Sequence, residues 1–225
     1  MAERITFFSA DEVEIVGNWV TAPTTLGVVL LMHMMPADRT SWAGFQALLA
    51  SKGLASLAID LRGHGESLNS KESGKLDYKL FGDEEHQSSL QDAIGAVDWI
   101  RRRGFERARI AVCGASIGAN LAVQLLLEEP EISGAALLSP GRNYHGTNAV
   151  SDVGSVLPTQ SLWVAASEGD DQESFEASKA LSEAAAVERK AFVPLKNAGH
   201  GTRILENQPK LAEDLSVWLK ATIQG

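Results

Sequence analysis

The chain has 225 residues, 44% hydrophobic and 22% charged, a composition that excludes a disordered or fibrous protein and suits one large globular domain. Its 20 Lys and Arg face 29 Asp and Glu, giving a net charge of −9 with no long basic run, which argues against a nucleic-acid partner. A single cysteine, Cys113, excludes an intrachain disulfide. With no apolar run of about 18 residues and no basic-then-apolar leader after Met1, the expectation is a cytoplasmic protein without a membrane partner.

Residues 5–9 and 13–20 are β-prone and flank the acidic pair Asp11 and Glu12, the pattern of a hairpin. Val28, Val29, Leu30, Leu31 and Met32 form a continuous apolar run, as a strand buried on both faces requires. Trp42, Phe45, Leu48 and Leu49 then fall at helical spacing, with Thr40 or Ser41 as the N-cap and Gly53 closing the helix. A strand is predicted over 54–59. The stripe Leu90, Ile94, Val97 and Ile100 predicts a helix that ends at Gly104, and Arg101, Arg102 and Arg103 supply cations to its C-terminus. A strand over 110–113 and a helix over 117–128 follow, then strands over 135–138 and 162–166. A helix through Phe175 and Leu181, a strand over 191–195 and a last helix with Leu211, Leu215, Trp218 and Leu219 on its inner face complete the chain. Residues 68–87 are polar and irregular, and 141–158 are too few for a substantial lid. No repeat or long linker divides the sequence, so 1–225 is expected to be one domain.

Strands alternating with helices imply an α/β architecture: a mostly parallel central sheet of about eight strands, an antiparallel N-terminal hairpin, and helices on both faces. Ligands of such sheets bind beyond the carboxyl ends of the strands, so functional residues belong just after a strand. Gly114, Ala115, Ser116, Ile117 and Gly118 fit G-x-S-x-G at a strand-to-helix boundary. This chemistry needs a serine on a sharp, strained turn. The glycines two positions either side avoid collision with neighbouring backbone, and the helix N-terminus points its partial positive charge at the reacting oxygen. A serine hydroxyl also needs a base. His200, in Asn197-Ala198-Gly199-His200-Gly201 after the last strand, is the candidate. Ser167-Glu168-Gly169-Asp170-Asp171, after the preceding strand, offers the carboxylate that fixes the histidine tautomer. Asp170 is favoured, and Asp171 is the alternative that instead starts the next helix. The histidines show no metal-ligand spacing, and no metal or organic cofactor is expected.

Together with Asp60-Leu61-Arg62-Gly63-His64-Gly65-Glu66-Ser67, which is similar to a D-x-R-G-H-G-x-S segment after the fourth strand, these motifs resemble the α/β-hydrolase superfamily over nearly the whole chain. The resemblance implies the α/β-hydrolase fold without a large cap domain and the order Ser116, acid, His200. Counting three residues from Ser167, the small residue ending its strand, it implies Asp170 as that acid. It also implies a shaping rather than chemical role for His64. Relatives carry His-Gly after the third strand, where a backbone N–H completes the oxyanion hole. Here the sequence is His33-Met34-Met35-Pro36, so the donors become the N–H groups of Met35 and Ile117. Met34 either lines the acyl pocket or fills core space, and Tyr144 either touches substrate or is a solvent-exposed loop residue. The implied function is a serine carboxylesterase acting on a small-molecule ester of short acyl chain through a Ser116 acyl-enzyme. The same triad on a thioester, lactone or peptide, and a catalytically silent binding protein of this fold, are the alternatives. Serine at the elbow argues against an Asp-nucleophile dehalogenase or epoxide hydrolase.

Overall fold

The computed structural model describes residues 2–225. In chain order its elements are β1 (Glu3–Phe8), β2 (Val13–Val20), β3 (Gly27–Met32), α1 (Ala43–Ser51), β4 (Leu54–Ile59), β5 (Asn69–Ser70), β6 (Gly74–Lys75), α2 (Asp83–Gln87), α3 (Leu90–Arg102), β7 (Ile110–Ala115), α4 (Ile117–Glu128), β8 (Gly134–Leu138), α5 (Ala149–Asp152), β9 (Ser161–Glu168), α6 (Gln172–Ala184), β10 (Arg189–Lys196), α7 (Arg203–Asn207) and α8 (Pro209–Gln224). The strands form one sheet in the order β10-β9-β8-β7-β3-β4-β2, with β1 and the small β5–β6 hairpin attached to β2. From β4 to β10 along this path every pairing is parallel, whereas β2 is antiparallel to both β1 and β4.

The apolar run of β3 is buried throughout because it has helices on both sides. Its pleat sends Val28, Leu30 and Met32 into a core with Ala93, Val97 and Ile100 of α3 and Leu121 and Leu125 of α4. Val29 and Leu31 enter the opposite core with Phe45 and Leu49 of α1 and Leu215 and Leu219 of α8. Consecutive residues of one strand thus serve two cores, which is why the sequence shows a run rather than an alternation. The sheet order also turns around β3. Strand β4 lies on one side and β7 on the other, so the crevice of such a sheet opens at the carboxyl ends of β3 and β7.

Several boundaries differ from expectation for local reasons. The helix after β3 opens with a 3-10 turn, Arg39–Trp42, whose cap is Asp38, not Thr40 or Ser41. The Asp38 carboxylate accepts from Thr40 N at 2.8 Å. The irregular stretch 68–87 contains β5, β6 and α2, elements of two to five residues too short to leave a periodicity. The arginine cluster behaves as a helix end: Arg103 stacks its guanidinium over Trp99 at 4.2 Å and pairs with Glu3 at 3.2 Å.

The Asp60–Ser67 segment is a hydrogen-bonded bracket at the carboxyl end of β4. Buried Asp60 accepts from Arg39 N and Glu66 N, each at 2.7 Å, and pairs with the Arg39 guanidinium. Arg62 donates to Asp92 through its backbone N–H, Nε and Nη2, and reaches Asp11 with its outer nitrogens. Burial pushes the Asp92 carboxyl up to about 6, against the pull of Arg62. Gly65 is required here, because a Cβ would lie 2.1 Å from Asp60 Oδ2. His64 is likewise built into the bracket, buried, donating Nδ1–H to the Arg62 carbonyl at 3.0 Å and stacked on Tyr78.

Candidate active site

Ser116 stands between β7 and α4 at φ 54°, ψ −120°, a backbone conformation that costs a non-glycine residue on the order of 1–3 kcal/mol. It is held from both sides. Its N–H donates to the Leu138 carbonyl of β8 at 2.8 Å, and its carbonyl accepts from Ala119 and Asn120 in the first turn of α4. The flanking glycines are there for space. A Cβ on Gly114 would sit 2.0 Å from the Gly118 carbonyl oxygen, and one on Gly118 would sit 2.5 Å from Met32 O and 2.8 Å from His33 O. The latter contact shows how tightly the start of α4 abuts the loop after β3. That loop is pinned by His33, whose Nε2 accepts from Leu61 N at 3.0 Å while Nδ1 donates to the Met34 carbonyl at 2.9 Å. Complete burial holds the His33 imidazole neutral, with its pKa lowered to about 4. Among the described residues, the N–H groups of Met35 and Ile117 donate to no backbone carbonyl.

His200 lies in a loop with φ of 49°, 88° and 59° at Asn197, Gly199 and Gly201. A Cβ on Gly201 would lie 2.6 Å from Met34 Sδ and 3.4 Å from Ala115 Cβ, so this loop packs directly on the residue before Ser116. The imidazole Nδ1 is 2.7 Å from Asp171 Oδ2, which leaves Nε2 as the nitrogen available to a nucleophile.

Asp170, the expected partner of His200, points elsewhere. Its Oδ1 accepts from Ser167 Oγ at 2.5 Å and its Oδ2 from Gly199 N at 2.7 Å, and the Ser167 hydrogen bond holds its pKa below the usual carboxylate range. The reason is local. Gly169 adopts φ 95° just beyond β9, and the turn it makes presents Asp171, not Asp170, to the imidazole.

Met34, a candidate pocket wall or core residue, is buried in the core cluster beneath the His200 loop. It is 9% exposed, packed with Trp42, Phe45 and Leu205, and its sulfur lies against Gly201 and Thr202. Tyr144 is neither a free surface side chain nor remote. Its hydroxyl is 2.9 Å from Ser174 Oγ and faces the Ser116 side chain, and burial raises its pKa. Its ring covers Gly141, where a Cβ would be 2.4 Å away.

The sequence reading passed over Asn120. Fully buried on α4, it accepts from Gly141 N at 3.0 Å and donates to Gly141 O and Thr147 O at 3.0 and 2.7 Å, tying the Tyr144 loop to the helix that begins at Ser116. Its only sequence signal is a polar residue in the first turn of a mostly apolar helix. Among the described residues, no group of three or more His, Cys, Asp or Glu side chains is arranged to hold a metal ion, and no helix is long and apolar enough to cross a membrane. A groove of about 510 Å³ lies between α1 and α7–α8, lined by Phe45, Leu48, Leu205 and Pro209. It borders the His200 loop through Thr202 but contains none of Ser116, His200 or Asp171.

Residues 23–163, which include the Ser116 turn, match the family described as serine aminopeptidase, S33 (Hydrolase_4). The chain belongs to this α/β-hydrolase family. The match ends before Asp170, Asp171 and His200. An uncharacterized protein of Rickettsia prowazekii (strain Madrid E) is 26% identical over 144 residues, 61% of this chain and 55% of that protein, so the chain spans about half the length of this curated relative. Among solved structures, the α/β hydrolase GrgF of Penicillium sp. sh18 superposes with a TM-score of 0.82 at 14% identity over all of both chains. The esterase Pf2001 of Pyrococcus furiosus gives 0.79 at 18% identity over 99% of this chain and 93% of that one. A thermophilic esterase of Thermogutta terrifontis gives 0.74 at 16% identity, over 98% and 99% respectively. The hydrolase fold is therefore shared over the full chain, including the part beyond the family match that carries Asp171 and His200.

Proposed function

We propose that this α/β hydrolase is a serine carboxylesterase acting on small-molecule esters of short acyl chain, with Ser116 as nucleophile, His200 as general base and Asp171 as the carboxylate that orients it. The observation that carries the reading is the 2.7 Å contact from His200 Nδ1 to Asp171, on a loop packed against the residue before a strained Ser116. Acceptance of Nδ1–H by Asp171 makes Nε2 the basic nitrogen. His200 Nε2 takes the Ser116 Oγ proton as Oγ adds to the ester carbonyl carbon. The carbonyl oxygen gains negative charge, which the N–H groups of Ile117 and Met35 stabilise. The tetrahedral species collapses when His200 returns the proton to the departing alkoxide, leaving an acyl-Ser116. Water then gives a proton to His200, its oxygen adds to the acyl carbon, and the carboxylic acid leaves as Ser116 regains its proton. No other reactant is needed.

Short acyl chains are favoured because the connection after β8 contains only α5 and a 3-10 turn, which leaves little chain to cover a long acyl tail. Each buried methylene is worth about 0.8 kcal/mol, but only where an apolar wall covers it. The test is kcat/KM for p-nitrophenyl esters from two to twelve acyl carbons, below micelle-forming concentrations. A maximum at roughly two to six carbons is expected; a maximum at twelve would overturn the short-pocket reading. The description of the family as serine aminopeptidases supports a second reading, a peptide bond cleaved by the same residues. Turnover of aminoacyl-p-nitroanilides exceeding that of every ester would favour it.

A further inference from the structure

The two adjacent carboxylates after β9 do different work. Beyond the last β9–β10 rungs, Ser167 with Leu195 and Glu168 with Lys196, the parallel ladder ends, and only Asn197 N still reaches the Glu168 carbonyl, at 3.1 Å. The chain that follows, 197–201, has three residues in the left-handed region and forms no strand. Two of its residues, Ala198 and Gly201, are buried, so their amides must find partners elsewhere, because an unpaired backbone donor is costly away from water, while Gly199 is half-buried at the edge of the loop. Side chains supply them. Ala198 N donates to Ser167 Oγ at 2.7 Å, Gly199 N to Asp170 Oδ2 at 2.7 Å, and Gly201 N to Ser139 Oγ at 3.1 Å. Ser167 and Asp170 are themselves joined by the Ser167 hydroxyl, which donates to Asp170 Oδ1. A serine and an aspartate from the tail of β9 thus replace the missing strand and grip the two residues immediately before His200, while Asp171 grips the imidazole.

We infer that Asp170 is a positioning residue, which fixes the backbone of the His200 loop through Gly199 and Ser167 and contributes as a hydrogen-bond acceptor, not as a charge. The inference rests on His200 being the base of the reaction proposed above. Two features make an acceptor role specific. Asp170 spends one oxygen on Ser167 and the other on Gly199, and neither partner is a cation. Asparagine retains one carbonyl acceptor for Gly199 N, whereas alanine leaves Gly199 N to water, which cannot hold the loop in place, and frees Ser167 to turn away from Ala198. If charge were the working property, asparagine and alanine would be equally damaging.

Misplacement of a catalytic group by about 1 Å costs on the order of 10²-fold, which bounds the effect of losing the clamp. The experiment compares Asp170→Ala, Asp170→Asn, Ser167→Ala and Asp171→Asn. It uses kcat and KM on p-nitrophenyl acetate, the rate of fluorophosphonate labelling, and the low-field proton resonance of the His200 Nδ1–H···Asp171 bond. We expect Asp170→Ala to lower kcat and the labelling rate about 10- to 100-fold with KM within about twofold. Ser167→Ala should act in the same direction, and Asp170→Asn should recover to within about threefold of the unmodified chain. The low-field resonance should persist, broadened, in Asp170→Ala and vanish in Asp171→Asn, whose kcat should fall further than that of any Asp170 variant. Thermal unfolding reports whether each variant is folded, and if Asp170→Ala is not, Ser167→Ala and Asp170→Asn carry the comparison. Activity of Asp170→Ala equal to that of the unmodified chain would overturn the positioning role. Asp170→Asn as inactive as Asp170→Ala, beside a mildly affected Asp171→Asn, would overturn it in favour of Asp170 as the acid. Failure of the underlying reading looks different: Ser116→Ala, run alongside, would then keep its turnover and its label.

Discussion

Replacing Asn120 with leucine tests whether the Tyr144 loop is held over the nucleophile from beneath. Leucine has the same number of side-chain heavy atoms as asparagine, branched at the same carbon, but bulkier methyl groups, so the change removes hydrogen bonds without opening a cavity and adds some overpacking. Gly141 N and Gly141 O each lose the side-chain partner the structure gives them, while Thr147 O keeps its bond from Tyr144 N at 3.1 Å. An orphaned buried backbone group costs about 1–3 kcal/mol, so two give roughly 4 kcal/mol. For a chain of this length that corresponds to a fall in Tm of about 8–16 °C. Urea unfolding with an unchanged m-value measures the loss, and ester turnover reports the displaced tyrosine. A destabilisation under about 1 kcal/mol with unaltered turnover would refute the assignment of Asn120 as the anchor of this loop.

Two further perturbations follow from buried contacts. Among the described residues His64 Nε2 has no hydrogen-bond partner, and burial together with the edge of His33, 5.0 Å away between ring centres, lowers its pKa to about 4. Unfolded, it titrates near 6.5, so as pH falls from 6.5 to 4 the unfolded chain takes up a proton that the folded chain refuses, and stability is lost with acidification. His64→Phe removes that share: between pH 7 and pH 5 the unmodified chain should lose about 2 kcal/mol more than the variant, and equal losses in urea titrations would contradict the buried neutral state. Gly118→Ala places a methyl 2.5 Å from Met32 O, where only backbone can yield. A stability cost of about 1–3 kcal/mol is expected, with a fall in kcat as Ile117 N shifts. A variant with native Tm and native kcat would show that the contact relaxes freely.

Much of this was legible because it depends on local pattern. The run at 28–32 read as a doubly buried strand, the glycines around Ser116 announced a turn with no room for side chains, and His200 stood out as the histidine set between glycines after the last strand. What was not legible depends on direction. Asp170 and Asp171 are adjacent carboxylates in the same loop, and the φ of 95° at Gly169 decides which one meets the imidazole. The fate of Met34 turned on a contact with Gly201, 167 residues along the chain. Asn120 was invisible because its partners, Gly141 and Thr147, belong to a loop whose path no periodicity records. The D-x-R-G-H-G-x-S segment was recognisable as a motif, but its work, a bracket from Asp60 to Arg39 and from Arg62 to Asp92 and Asp11, needed the fold to be seen.

The central claim is that Ser116 is a nucleophile activated by His200, and covalent capture tests it without knowledge of the natural substrate. The folded chain at neutral pH is incubated with a fluorophosphonate, and intact mass and peptide mapping locate the adduct. A single adduct on Ser116, absent from Ser116→Ala and formed far more slowly in His200→Ala, is the predicted result. No adduct on the folded chain, or an adduct that Ser116→Ala retains, would contradict the account and favour a hydrolase fold used for binding alone.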